Sequence, residues 1–332
     1  MDTTGDEQLF ELLYDAPTRE NVVHFLAFDD RNPNSIWSCI QAARENARTI
    51  REVITTPMWK ELNKFYHLVR TTREHPLRKY PYDFCARVKL ASHVLIGVTD
   101  ATMSHGEAWH FGRVGRLIER ADKTSRIVDV QYYVLLPDPK DVGTSLDLVR
   151  WSALLKSASA LEMYRREHGR IEPRKVAAFL ILNRQFPRSM RFAIVKTLDS
   201  LREITGSAQA TFTNRVEQLL GRLCSELDYA TSDDIFERGV HEFIDNFQGR
   251  LNEIGIAFEQ QFFRTRPRDV YAPVGGASAL EDPDGNRDAN GGRPGARPAG
   301  CIGGHGGNPM PVRVLDLRYC QVTAVAGRVG EW

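Results

Sequence analysis

Apolar side chains recur every three or four residues along most of residues 1–263, which is the period of an α-helix and not the alternation of a β-strand. Polar residues that can cap a helix stand before several of these apolar stretches, among them Asn32 and Thr56, each followed by a proline, and Ser104, with Glu107 three residues on. The pattern predicts helices over about 35–54, 57–72, 82–103, 104–136, 146–167, 173–182, 187–205, 211–229 and 233–262. We therefore predict an all-α fold, an antiparallel helical bundle.

The chain also resembles itself at an offset of 154 residues. The segment VVHFLAFDDRNPNSIWSCI (22–40) aligns with VAAFLILNRQFPRSMRFAI (176–194) without a gap, and six of nineteen positions are identical. This repeat predicts a bundle of two pseudo-repeated halves, each with a short helix, a turn and a proline-started helix. A long helix precedes the second copy, whereas only about nine residues precede the aligned region in the first. We expect that the first half is truncated or takes this helix from elsewhere.

Residues 265–311 differ from the helical part in composition, because these 47 residues include 11 Gly and 7 Pro. So little apolar surface cannot offset the entropy of ordering the chain, which predicts disorder. We divide the chain into a helical domain, residues 1–263, and a Gly/Pro-rich, disordered tail, residues 264–332.

Charge and cysteine content narrow the class of protein. The 44 basic and 43 acidic residues give a formal charge of +1, which argues against a nucleic-acid or polybasic membrane binder. No apolar run has the length of a membrane span, and the N-terminus does not resemble a signal peptide. The five cysteines are scattered and form no CxxC pair. These features predict a cytoplasmic protein without a membrane or nucleic-acid partner.

The segment WHFGRVGRLIERADKTSRIVDV (109–130) carries the most information about function. Its apolar residues form one stripe at helical spacing: Val114, Leu117, Ile118, Ala121, Ser125, Val128, Tyr132 and Leu135. Arg116, Glu119 and Lys123 point away from that stripe, and Arg113 and Arg120 flank them. The simplest interpretation is a solvated face with weak ion pairs.

Two glycines in the same helix favour a different interpretation. Gly112 and Gly115 lie inside the predicted helix, where glycine lowers helix stability relative to alanine, and both lie on the flank of Glu119. Their expected use is the close approach of another helix or a ligand, which would partly enclose Glu119 and Arg120. A buried carboxylate–guanidinium cluster could then fix the bundle geometry or bind a phosphate or carboxylate.

Motifs for metal or cofactor chemistry are scarce. Glu107–His110 has the Glu-x-x-His spacing of di-iron bundles, but a second copy is absent and Glu107 is already explained as a capping residue. The sequence contains no GxSxG, phosphate-binding loop, HExxH or dinucleotide fingerprint. We predict no metal and no cofactor.

The chain resembles the alpha-E family, bacterial all-helical proteins named for a Glu-Arg motif. The resemblance covers about residues 20–263 and is carried by WHFGRVGRLIERADKTSR, NPNSIWSCIQAARENAR (32–48), MWKELN (58–63), ATMSHGEAWHFGR (101–113), LLKSASALEMYRR (154–166) and FLILNRQFPRSMRF (179–192). The family pattern usually opens with another Glu-Arg helix, which is missing here. The family occurs beside circularly permuted ATP-grasp ligases and transglutaminase-like peptidases, so the resemblance implies a helical partner in a peptide-ligating or peptide-modifying system.

These observations lead to one favoured function and two alternatives. The favoured one is a non-catalytic or co-catalytic module that binds an ATP-grasp ligase, a transglutaminase-like protein or a peptide substrate. Glu119 and Arg120 would lock or line its groove, and Arg113, Arg116 and Arg126 would donate hydrogen bonds to an anion. Weaker candidates are Arg44, Glu45 and Arg48, which lie in a stretch that resembles the family but equally fit an exposed helix face.

The first alternative is an enzyme that acts on a peptide or nucleotide-like substrate, with Glu119 as general base beside the arginine cluster. The second treats the motif as a buried ion-pair network that fixes helix register. A deep pocket lined by Arg113, Arg116 and Glu119 would favour the enzyme, and a shallow apolar groove would favour the binding module.

Overall fold

A computed structural model describes residues 6–74, 81–131 and 145–263. Over these ranges the chain forms helices and no strand, which confirms the all-α fold class. The helices are α1 (Glu7–Leu13), α2 (Arg19–Ala27), α3 (Ile36–Thr49), α4 (Thr56–Glu74), α5 (Pro81–Thr102), α6 (Glu107–Asp129), α7 (Ser145–Ser157), α8 (Leu161–His168), α9 (Pro173–Leu182), α10 (Met190–Thr205), α11 (Arg215–Tyr229), α12 (Ser232–Arg238) and α13 (Val240–Phe258), followed by a π-helical turn (Glu259–Phe263).

Two hydrophobic cores hold these helices together. The first is built from α2–α5 and their connections, with Ile36, Leu62 and Phe65 among its fully buried side chains. The second is built from α6–α13 and is larger, with Trp151 and Tyr164 completely buried. Each half of the chain therefore buries its own apolar faces, and α6 belongs to the second core.

The second core has four long helices in a ring, in which α6 packs on α10, α10 on α11, α11 on α13, and α13 on α6. The contact between α6 and α10 is the most extensive helix pair in the described part of the chain. Gly115 of α6 is buried. A glycine on a packed face lets a neighbouring backbone come close, so one of the two interior glycines has the surroundings expected for it.

The two aligned segments have similar local structure. Ser35 Oγ accepts a hydrogen bond from Ser38 N at the start of α3, and Ser189 Oγ accepts one from Phe192 N at the start of α10, both at 3.1 Å. Serine is the N-cap in each case, and each helix begins directly after it. The sequence had predicted that the helices begin at the prolines, two residues before these serines, and that prediction is wrong. Duplication of the whole halves stays a prediction.

Two other start signals were also assigned to the wrong residue. The helix that was predicted to begin at Ser104 begins at Glu107, with Gly106 at the N-cap and no side-chain cap. At the start of α4, the hydroxyl that accepts the Met58 N–H belongs to Thr55 and not to Thr56. In both cases the predicted capping residue lies within three residues of the observed helix start, but residue spacing alone does not determine at which residue a helix begins.

Two predicted helices are interrupted. The one over 146–167 is divided at Ser159, and the one over 233–262 is divided at Gly239, where φ is 49° and 96° respectively. A positive φ cannot continue a right-handed helix, so the chain turns at each point. The predicted disordered tail, residues 264–332, lies outside the described residues, and its disorder stays a prediction. Among the described helices, none is both long and apolar enough to cross a membrane.

Candidate functional site

Helix α6 is covered on all sides. None of its residues from Ala108 onward is exposed, and this holds as far as Gln131, beyond the helix end. The predicted apolar stripe is buried at Val114, Leu117, Ile118, Ala121, Ser125 and Val128. Its last two members, Tyr132 and Leu135, lie outside the described residues. The polar side of α6 must therefore be considered as an interior surface.

The charged residues of this side form a chain of ion pairs. Lys123 Nζ lies 3.3 Å from Glu119 Oε1 and 2.9 Å from Asp122 Oδ2, and Arg126 Nε lies 3.0 Å from the same Asp122 oxygen. The four side chains are only 14–24% exposed. The interpretation as a solvated face is wrong, because other parts of the fold cover these groups.

Asp122 is the centre of this network. Burial raises the pKa of its carboxyl group, but Lys123 and Arg126 lower it more, so the pKa lies below its ordinary value. The ionised carboxylate is thus favoured by its two cations. Asp122 was not among the predicted site residues, although it stands four residues before Arg126 on the same helix, a spacing that predicts an ion pair.

Arg113 and Arg116 are engaged by aromatic and acidic neighbours at the other end of α6. The guanidinium of Arg113 lies over the Trp109 ring, 5.2 Å from its centroid. Arg116 Nη2 lies 3.6 Å from Asp100 Oδ1 of α5, and the same oxygen accepts a hydrogen bond of 3.1 Å from Trp109 Nε1. These contacts join α6 to the end of α5. Asp100 was missed because two residues that meet from different helices have no characteristic spacing in the sequence.

Arg120 contacts the turn that precedes α10. Its Nη1 donates a hydrogen bond of 3.2 Å to the Pro187 carbonyl oxygen, and Thr124, one turn later, donates to the Arg188 carbonyl at 2.9 Å. Burial, followed by the nearby Arg188 and Arg116 cations, lowers the pKa of Arg120 to about 10. Arg120 is thus a half-buried cation in cationic surroundings, unlike Arg126.

The last turns of α6 are fixed to α13. Asp129 Oδ1 lies 2.7 Å from His241 Nδ1, and Gln248 Nε2 donates to Ser125 Oγ at 3.1 Å. The hydrogen bond with Asp129 is the main reason why the pKa of His241 is raised. These contacts position α6 and leave its apolar stripe in the core.

The weaker candidates on α3 are divided by the structure. Glu45 and Arg48 form an exposed ion pair, with 57% and 65% of their side chains accessible. Arg44 instead donates from Nε to Asn63 Oδ1 of α4 at 2.8 Å and lies over the Tyr66 ring, 4.6 Å from its centroid. The exposed-face interpretation therefore fits Glu45 and Arg48, while Arg44 stabilises the packing of α3 on α4.

Two cavities differ in size and position. A small, more enclosed one of about 30 Å³ lies where α3, α4, α5 and α6 meet, and its lining includes Arg113 and Arg116. It has room for about one water molecule. An open groove of about 970 Å³ follows α4, with a lining that includes Trp59, Lys60, Asn63, Lys64, Leu68 and Arg87. Neither cavity has Glu119 in its lining.

The described ranges contain no cluster of three or more His, Cys, Asp or Glu side chains that could hold a metal ion. The Glu107–His110 pair therefore has no further ligands of these types among the described residues. This agrees with the use of carboxylates on α6 to pair with arginine and lysine.

Comparison with known proteins identifies a family for this chain. The model of a family called Alpha-E, described as a predicted alpha-helical domain with a conserved ER motif, matches residues 1–263. The Glu119–Arg120 pair lies within the matched range. No curated protein and no solved structure matches the chain.

Proposed function

Because the chain belongs to the Alpha-E family of helical domains, we propose that it is a binding module that docks an acidic segment of a partner protein in the open groove along α4. The proposed partner is an ATP-grasp ligase or a transglutaminase-like protein of a peptide-ligating or peptide-modifying system. The observation that carries this proposal is the groove itself, which is large enough for a peptide segment, in contrast to the cavity of about 30 Å³ beside Arg113 and Arg116.

The composition of the groove supports an acidic, extended occupant. Lys60, Lys64 and Arg87 are exposed cations on its lining, and Trp59 and Leu68 supply half-buried apolar surface between them. Cations at the rim attract and orient an acidic segment, and the apolar surface gives it area to bury. Arg44 of α3 is not in the lining but supports it, because it donates a hydrogen bond to Asn63, which is.

The charged side of α6 has a supporting role in this proposal. Lys123 and Arg126 are already paired with Asp122, and Arg116 with Asp100. The Arg116–Asp100 pair joins α6 to α5, which lies beside the groove, whereas the pairs of Asp122 lie within α6 and compensate its charges. In this proposal, the charged residues of α6 contribute to binding indirectly, because they hold the helices of the module in place.

The enzyme alternative has less support from the geometry. A general base must come within hydrogen-bond distance of the proton that it abstracts. Glu119 Oε1 is buried and lies 3.3 Å from the Lys123 ammonium group, and neither of the two cavities described above reaches it. Glu119 as a general base remains a prediction from the sequence.

The proposal is tested by charge reversal in the groove. The double variant Lys60→Glu/Lys64→Glu should bind a purified ATP-grasp ligase or transglutaminase-like protein from the same genome at least about tenfold more weakly than the wild type. The control is Lys156→Glu, which reverses an exposed charge on α7 that is not part of the lining of the groove. It should bind like the wild type, as measured by isothermal titration calorimetry.

Equal binding by the groove variant and the wild type would show that the partner docks elsewhere. An absence of binding by the folded wild type to both candidate partners would overturn the partner assignment. Melting curves of the three proteins separate a loss of binding from a loss of folding.

A further inference from the structure

An apolar stripe on α5 is exposed, and it is not part of the lining of the proposed groove. Of its large side chains, Leu90 is 63% exposed, Tyr82 59% and Val94 40%. Its members follow one another at intervals of three or four residues, so they lie on one face of the helix. We refer to these residues as the α5 stripe: Tyr82, Ala86, Leu90, Val94, Gly97 and Ala101. A contiguous exposed apolar surface indicates an interaction site.

The opposite face of α5 is apolar as well. Phe84, Val88 and Leu95 are buried there, in the first core. Apolar side chains on both faces are typical of a helix that is covered on both sides. Within the described ranges, however, α4 is the only helix in extensive contact with α5. The α5 stripe is therefore a face for which the described fold supplies no partner.

Helix α13 shows what covers such a face in the other half of the fold. It packs on α11, which packs on α10, just as α5 packs on α4 and α4 on α3. The offset of 154 residues between the two aligned segments also places α5 over α13. At this offset Leu90 corresponds to Ile244, which is fully buried, and Val94 to Gln248, which donates a hydrogen bond to Ser125 of α6. The face of α13 that corresponds to the α5 stripe is thus covered by α6, whereas no described helix covers α5 in this way.

The α5 stripe has the composition that packing on a second copy of itself requires. Its bulkiest side chains, Tyr82 and Leu90, lie in the first half of the helix, whereas Gly97 and Ala101 lie in the second half. In an antiparallel pair around a two-fold axis, the first half of each helix faces the second half of the other. Leu90 of one copy then lies against Gly97 of the other. A Cβ atom at Gly97 would meet no atom within 4 Å, so the space above it is open to receive this side chain.

Charges along one edge of the stripe fit the same pairing. Lys89 and Asp100 are eleven residues apart, which is about three turns, so they share an edge of the helix. When Leu90 of one copy faces Gly97 of the other, Lys89 is only about 3 Å along the helix axis from Asp100 of the other copy. Asp100 is accessible to it, because its side chain is 44% exposed. The two-fold axis makes this pairing twice, and a formal charge of +1 on the whole chain keeps the net repulsion between two copies weak.

We propose that the α5 stripe is the contact surface of a homodimer, in which two copies pack antiparallel through α5 and Leu90 of each lies against Gly97 of the other. The second copy covers α5 as α6 covers α13. This contact goes beyond the proposed function, because it needs neither the groove nor a different protein.

The size of the stripe sets the expected strength of the dimer. Helix α5 has 22 residues and is about 33 Å long, so a contact about 10 Å wide buries about 330 Å² on each copy. A standard interface buries about 800 Å² on each partner. We therefore expect a weak dimer, with a dissociation constant in the micromolar range.

Analytical ultracentrifugation of the full chain between about 1 and 200 µM tests this proposal. The wild type should pass from the mass of one copy to that of two as its concentration rises. Leu90→Glu should weaken this association about tenfold or more, because it places unpaired carboxylates in an apolar contact. The matched control is Leu148→Glu, which changes another exposed leucine, on α7 and outside the α5 stripe, and should leave the association unchanged.

Reciprocal substitutions test the pairing of Leu90 with Gly97. Leu90→Ala removes the large side chain, and Gly97→Leu places a second large one against it, so each alone should weaken the dimer about tenfold. The double variant Leu90→Ala/Gly97→Leu again has one large and one small residue at each contact. It should therefore associate more tightly than either single variant. Melting curves of the dilute proteins show that all variants fold, and Gly97→Leu should melt no lower than the wild type, because glycine disfavours a helix interior.

Three results would overturn the proposal. They are a folded wild type that stays monomeric over the whole range, equal association of Leu90→Glu and the wild type, and a double variant that associates more weakly than both single variants. Assemblies that keep growing beyond two copies would also count against it, because a two-fold contact closes. The groove variant Lys60→Glu/Lys64→Glu should dimerise like the wild type. No other protein takes part in these measurements, so failure here is distinguishable from failure of the groove proposal.

Discussion

Helices α3 and α6 carry similar charged residues at similar spacing, yet the structure places them in opposite environments. On α3, Glu45 and Arg48 pair in the open, with more than half of each side chain accessible. On α6, Asp122 and Arg126 make an equivalent pair with less than a quarter accessible. An exposed pair contributes little to stability, whereas removal of one partner from an enclosed pair leaves an uncompensated charge. The same residue types thus have different energetic roles, depending on what covers the helix.

The largest effect expected from this comparison concerns Asp122. Asp122→Ala should lower the free energy of unfolding by about 3 kcal/mol, because Lys123 and Arg126 lose the carboxylate that compensates them. Glu45→Ala on α3 should change it by less than about 0.5 kcal/mol. Urea denaturation of both variants measures the difference. Equal effects of the two substitutions would mean that enclosure does not distinguish the helices.

A second enclosed carboxylate tests whether hydrogen bonds can stabilise an ionised carboxylate in place of neighbouring cations. Glu217 of α11 is 2% exposed and accepts hydrogen bonds from Thr205, Ser207 and Thr213. Burial raises its pKa, but these bonds outweigh burial and lower it below the ordinary value. Glu217→Gln should cost about 2 kcal/mol at pH 7, because bonds to an ionised acceptor are lost.

The pH dependence of this variant has a definite sign. A folded-state pKa below the unfolded one stabilises the protein above the unfolded value of about 4.3, and that stability is lost as pH falls through the folded pKa. The stability difference between wild type and Glu217→Gln should therefore be constant near neutrality and shrink below about pH 4. A difference that stays constant down to pH 3 would contradict the lowered pKa.

Substitution of Arg120, on the same helix as Asp122, should not lower the free energy of unfolding. Because it has no ion pair among the described residues, Arg120→Met should leave the free energy of unfolding unchanged or raise it by about 1 kcal/mol. Arg126→Met should lower it, since Asp122 then loses a cation. If both variants were destabilised to the same extent, the two arginines would be energetically equivalent despite their different surroundings.

The smallest expected effect concerns the contact between α6 and α13. The pKa of His241 is raised chiefly by its hydrogen bond with Asp129, so this contact stabilises the fold fully below the unfolded histidine pKa of about 6.5. The contribution, about 1 kcal/mol or less, is lost as pH rises through the folded pKa. His241→Gln should therefore be less stable than the wild type at pH 5.5 and equal to it at pH 9. An equal deficit at both values would assign the effect to packing.

Much of the fold was accessible from the sequence, because helical periodicity is a local property. The bounds of α9 and the buried stripe of α6 agree with the structure. The breaks at Ser159 and Gly239 were not predicted, because a helical pattern can continue across a residue that turns the chain. The short helix α1 was also missed.

Less of the site could be predicted. Spacing gives the direction of a side chain around its own helix, but not which element lies opposite. Asp100 comes from α5, and the Pro187 and Arg188 carbonyls come from the turn before α10, so their proximity to α6 arises only from tertiary packing. Gly112 and Gly115 were the local signs of enclosure, since a glycine within a long helix has an energetic cost that close packing explains, and Gly115 is buried.

The enclosure of α6 also bears on how the protein meets a protease. Trypsin cuts after lysine and arginine, and α6 offers five such residues: Arg113, Arg116, Arg120, Lys123 and Arg126. Cleavage requires an extended backbone in the protease cleft, and a helix with no exposed residue from Ala108 to Asp129 provides one only after unfolding. Although it is among the segments richest in cleavage sites, α6 should survive limited digestion as an intact fragment, and the first cuts should fall at exposed basic residues outside the helices, such as Arg184 between α9 and α10.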